Sequence, residues 1–121
     1  MQYESTETIA SKVCEGVSFT ITRMTFGRRV DLMRRVRQLN GQFEFERAGS
    51  GIEDRLQASL TAAAIDELYL SWGLVAIEGL EVDGRTATPE SLILCGPEKL
   101  CHEIISAIKR ECALTEAERK N

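Results

Sequence analysis

Few side chains in this chain are suited to bond-making or metal binding, and their spacing decides what they can do. The cysteines are Cys14, Cys95, Cys101 and Cys112, and the single histidine is His102. A zinc site would have to recruit Cys95, Cys101, His102 and Cys112, yet no CxxC pair offers the usual ligand spacing. A nucleophile needs a base beside it, but Cys101 and His102 are neighbours in sequence. Neighbours on a helix point about 100° apart, so the two do not form a local Cys–His pair. Cys101 and Cys112 are instead expected on one helix face with Ile104, Ile105 and Ile108, as small core hydrophobes. His102 is expected at the surface.

Carboxylates are plentiful, among them Asp66, Glu67, Glu78, Glu81, Asp83 and Glu90. Acid–base catalysis needs a paired and partly desolvated arrangement, whereas these lie beside cations or turns. The glycines form neither GxxxxGK[ST] nor GxGxxG, so no phosphate loop is present. The reading is therefore of a chain without catalytic, cofactor-binding or metal-ligating residues.

Charge is spread unevenly. The net charge is −4, but residues 23–47 hold seven arginines against three acids. Arg28, Arg29, Arg34, Arg35 and Arg37 form a candidate basic surface. That surface lacks a DNA-reading motif and interleaved aromatics for base stacking, so a protein contact or a solvated face is expected before nucleic acid.

These residues must be positioned by one domain, which is what 121 residues support. No apolar run reaches the roughly 18 residues that cross a bilayer. The opening Met1-Gln2-Tyr3-Glu4-Ser5 is polar, unlike a secretory signal. A cytosolic protein with reduced cysteines is expected.

The predicted fold is mainly α with a small β component. Residues 1–15 give weak signals and are expected to fray in part. Val17, Phe19 and Ile21 alternate with Ser18, Thr20 and Thr22, which predicts an N-terminal strand. Thr25 can cap a helix whose stripe is Phe26, Val30, Met33 and Val36, widened by Leu32 and Leu39, with Asn40-Gly41 as its stop. Ala48-Gly49-Ser50-Gly51 reads as a connector. A second helix runs from Ile52 or Glu53 to about Ser71, with Leu56, Leu60, Ala63, Ala64, Leu68 and Trp72 as its core face. Part of its small-residue surface is a candidate contact with a second subunit.

Beyond Trp72-Gly73, the apolar residues Leu74, Val75, Ile77, Leu80 and Val82 flank Gly79 and lead to Asp83-Gly84. They predict a short strand pair with a tight turn, or an extended segment lying against the helices. Thr88 caps a short helix with Pro89 in its first turn. Pro97 opens a helix through Leu100, Cys101, Ile104, Ile105, Ile108 and Cys112. Thr115 is a candidate cap for a charged last turn, and residues 115–121 are expected to fray.

The second half resembles the small tail assembly chaperones of long-tailed bacteriophages and related prophages. The resemblance rests on Tyr69 to Leu74, the Ile77 to Gly84 turn, Thr88-Pro89-Glu90-Ser91-Leu92, the Pro97 to Cys112 helix, and Leu114 to Asn121. For residues 17–68 it extends only to general architecture. It implies a mostly helical, non-enzymatic protein of the bacterial cytoplasm that acts during virion assembly. Such proteins bind the tape-measure protein, keep its hydrophobic helices soluble and bring tail-tube subunits to it. They are usually absent from the finished particle, and some also occur as a frameshifted longer form. No catalytic motif carries over.

A mechanism consistent with the residues is coverage of an apolar client by a shallow apolar face, with an acidic exterior for solubility. Candidate contact residues are Trp72, Leu74, Leu80 and Val82, with Phe43 and Phe45 secondary. Trp72 is at the same time expected to be half or more buried in the protein's own core. A homo-oligomer is compatible with the pattern. Two other classes fit it: a connector or tail protein retained in the particle, and an Arg-rich nucleic-acid-binding regulator.

Overall fold

The computed structural model describes the backbone of residues 1–120 and the side chains of residues 1–113. In chain order the elements are β1 (Thr6–Ala10), β2 (Ser18–Thr22), α1 (Phe26–Ala48), α2 (Ile52–Gly73), β3 (Leu74–Glu78), β4 (Glu81–Val82), β5 (Arg85–Thr86), α3 (Pro89–Cys95) and α4 (Glu98–Lys120). The mainly helical fold with a small antiparallel β component is as expected. The chain divides into two compact units. One comprises residues 1–25 and 69–121, the other residues 26–68.

In the first unit the predicted alternation holds: Phe19 and Ile21 of β2 are buried. That strand lies at the centre of a three-stranded antiparallel sheet ordered β1-β2-β3, with Ile9 opposite Phe19 and Phe19 opposite Ile77. Strand β1 was not foreseen in the weakly patterned first 15 residues. It forms because β2 offers it a full ladder, and Thr8 and Thr20 share a hydroxyl hydrogen bond of 2.8 Å across the pair. Side chains of α4 close the core: Leu100, Ile104 and Ile108 are fully buried together with Phe19, Ile21 and Leu92. Gly73 ends α2 where any Cβ would press into the Ile108 side chain.

Local signals placed the smaller elements well. Asp83 and Gly84 both take positive φ and join β4 to β5, as a two-residue hairpin requires. Strand β3 does not pair within that hairpin; it completes the larger sheet through β2. Thr88 accepts from the Ser91 amide while the Ser91 side chain accepts from the Thr88 amide, a reciprocal cap for α3 with Pro89 at its start. Gly79, at φ +82°, passes so close to the Gly16 carbonyl that only a residue without Cβ fits.

One carboxylate fastens the β1–β2 turn to α4. Glu103 accepts from the Ser11 hydroxyl at 2.6 Å and from the Lys12 amide at 2.7 Å.

The second unit is a helical hairpin. Helix α1 does not stop at Asn40-Gly41 but continues to Ala48, which corrects the sequence expectation. A mid-helix glycine costs only about 1 kcal/mol relative to alanine, and the turns beyond it are held by side chains. Gln42 donates to Glu46 at 2.8 Å, and the Thr61 hydroxyl of α2 donates to Glu46 at 2.8 Å. That last bond ties the end of α1 to the middle of α2 across Gly49-Ser50-Gly51. Asp54 accepts from the Gly51 amide at 3.3 Å, which helps α2 begin where it does. Helix α4 continues through Thr115 to Lys120; the Thr115 cap concerns a side chain outside the described residues, and the proposed fraying extends to residue 121, also outside them.

Candidate protein-binding surface

The residues with chemical potential do not converge. Among the described residues, no three of His, Cys, Asp and Glu gather as a metal-ligand set. His102 is exposed and lies 3.3 Å from Glu98, one helical turn away. The Cys101 thiol sits 3.6 Å from the Leu92 carbonyl. Burial, aided by the Glu98 charge, pushes its pKa upward, the wrong direction for a nucleophile. Cys95 is exposed, and all four cysteines are free thiols. A groove of about 400 Å³ between the sheet and α4 is lined by apolar and charged side chains, among them Ile9, Phe19, Lys12, Glu103 and Arg110. Its best-placed carboxylate, Glu103, is already engaged by Ser11 and Lys12.

The basic segment is divided by the helix it lies on. Arg34, Arg35 and Arg37 are exposed, whereas Arg28 and Arg29 are half-buried. Arg35 pairs with Asp31 at 3.0 Å.

The apolar contact candidates from the sequence fare unevenly. Leu74 is only 6% exposed, a core residue of the sheet, so it is removed from the contact set. Trp72, Leu80 and Val82 are half-buried against the same core, and Phe43 is half-buried on α1. Phe45 alone projects fully, at 83% exposure.

A different surface stands out. Phe26, Met33, Phe45, Ile52, Leu56 and Leu60 all belong to the helical hairpin, and all are 61–88% exposed. The expected stripe of α1 is therefore rotated: its buried positions are Leu32 and Val36, with Leu39 and Phe43 half-buried, while Phe26 and Met33 face solvent. The same correction applies to α2. Leu56, Leu60, Ala63 and Ala64, expected in the core, are exposed, and Ala58 and Thr61 are buried instead.

The cause lies in composition. The middle of helix α2, residues 56–65, carries no charge and has apolar residues on opposite sides (Ala58, Ala62 and Ile65 on one, Leu56, Leu60 and Ala63 on the other), so periodicity alone does not choose between phases. Sequence did hold a usable signal: a helix that is apolar all round is one buried on more than one side.

Geometry joins the exposed residues of the two helices. Glu46 and Thr61 face each other through their hydrogen bond. Phe45 and Leu60 each precede one of these residues, about 100° round its helix. Because the helices run in opposite directions, both steps turn to the same side of the hairpin. Leu56 and Ala64 lie one turn either side of Leu60. Phe45, Leu56, Leu60 and Ala64 thus form one patch, with Ile52 at its end.

Comparison with protein-family models, with curated proteins and with solved structures found no match. Among the described residues, no helix is long and apolar enough to cross a membrane.

Proposed function

We propose that this is a non-enzymatic assembly chaperone, of the kind that serves long-tailed phages, and that it works in the bacterial cytoplasm by covering the apolar helices of the tape-measure protein and helping to bring tail-tube subunits to it. The observation that supports client binding is the exposure of Phe26 and Met33, 88% and 63%, on α1 of the 26–68 hairpin. The phage assignment rests on the resemblance of residues 69–121.

Burying apolar surface contributes roughly 25 cal/mol per Å², part of which is offset by the lost freedom of the partners. Phe26 and Met33, seven residues apart and so on one face of α1, offer a strip for a client helix. Exposed Arg34 and Arg37 lie next in sequence and suit acidic flanks on that client. The net charge of −4 helps the complex to stay dispersed.

The test is co-expression with the tape-measure protein of the same genome, followed by solubility fractionation and co-purification. The expected outcome is a soluble stoichiometric complex, and its loss in a Phe26→Ser, Met33→Ser double variant. A tape-measure protein that stays insoluble with the chaperone in excess would reject the assignment. Detection of the protein in purified virions at structural copy number would favour a retained tail component instead.

A further inference from the structure

We infer that the patch built from Phe45, Ile52, Leu56 and Leu60 is covered by a second copy of this chain, the two α2 helices packing antiparallel about a twofold axis midway between Leu56 and Leu60. This does not depend on the client or on the phage assignment.

Three observations favour a copy of the same chain over a foreign partner. Size is the first. With roughly 150–250 Å² available per large side chain, the four residues, 61–83% exposed, present on the order of 500 Å². That is at the upper end of what a monomer leaves open. A standard interface takes about 800 Å² from each partner, and in homodimers about 65% of it is apolar. The patch matches that apolar share.

Shape is the second. With the axis midway between Leu56 and Leu60, antiparallel packing sets Leu56 of one copy against Leu60 of the other and Ile52 against Ala64, and the reverse by symmetry, while Glu67 lies beyond the start of the other copy's α2. Ile52 then meets a small side chain, the arrangement that lets two helices interlock. Each contact occurs twice, as a self-complementary interface requires.

The third is the composition of α2 itself. Its buried face is spent within the chain (Thr61 bonds Glu46 of α1), and on the opposite face Ile52, Leu56, Leu60 and Ala63 remain exposed alongside Glu53 and Glu67. A helix with two apolar faces belongs inside a bundle. Two hairpins joined through α2 make a four-helix bundle with α2 and its counterpart at the centre.

Sedimentation velocity and light scattering of the full chain, without client, provide the test. The wild type is expected to be a dimer at roughly 10–100 µM, where micromolar affinities are visible. Leu60→Glu should weaken dimerisation at least about 100-fold, because it places two like charges in an apolar contact, and so halve the apparent mass. Leu60→Ser serves the same purpose should the glutamate variant fold poorly, and far-UV circular dichroism checks both. Leu94→Glu, at an exposed position of α3 away from the patch, should remain dimeric. A wild type that is monomeric throughout this range overturns the inference. So does a dimer that survives Leu60→Glu or Leu60→Ser, or an open-ended series of oligomers, which a twofold contact does not generate.

Discussion

The sheet-containing unit and the helical hairpin solve the problem of burial differently. In the first, a cluster of thirteen buried side chains from β2, β3, α3, α4 and neighbouring segments closes around Phe19 and Ile104. In the second, 43 residues bury only Leu32, Val36, Ala58 and Thr61 while six large apolar side chains face water. A hydrophobic core of that size does little to offset the entropy of ordering two long helices. The first unit closes its core within the chain; the second leaves most of its large apolar side chains exposed.

That contrast fixes where substitutions should hurt. Phe19→Ala or Ile104→Ala should destabilise the sheet unit by about 3–5 kcal/mol, the cost of a large core cavity, measured by urea denaturation. Equivalent truncations of Leu56 or Phe45, made in dilute monomer, should stay within about 0.5 kcal/mol; losses as large as at Phe19 would contradict the contrast. Gly79→Ala should cost about 1–3 kcal/mol, from an unfavourable φ and a collision with the Gly16 carbonyl, visible as a lowered Tm. Thr88→Ala removes one half of the α3 cap and should cost about 1 kcal/mol.

In the hairpin the sign should reverse. Gly41→Ala, in the monomeric Leu60→Glu background, should raise helix stability by about 0.5–1 kcal/mol, since nothing lies within 4 Å of the added methyl. Slower amide exchange along α1 would report it. The smallest effect is chemical. Cys95, which is exposed, should alkylate before Cys101, and the rate at Cys101 should keep rising to a higher pH than for a free thiol. Its raised pKa keeps the thiolate scarce at neutral pH. Peptide-resolved mass spectrometry across pH checks both statements.

Legibility in the sequence followed the same divide. Alternation in β2, the Asp83-Gly84 turn and the Thr88 cap are local physics, and each lies where the residues said. Strand β1 depends on pairing with β2, and Thr6-Glu7-Thr8 does not announce that alone. In the hairpin, Asn40-Gly41 gave a stop that the Glu46–Thr61 bond overrides. The exposed patch was misread as core because α2 allows two helical phases, and only tertiary packing selects between them. Leu74 erred the other way, since its burial comes from β2, more than 50 residues earlier.

The grip of Glu103 on Ser11 and Lys12 also has a consequence for biosynthesis. A ribosome delivers the β1–β2 turn early and its anchor some 90 residues later. The helical hairpin therefore emerges whole, with its apolar side chains uncovered, before the flanking halves of the other unit can meet. Any copy or client that docks on those helices can find them while the chain is still being translated.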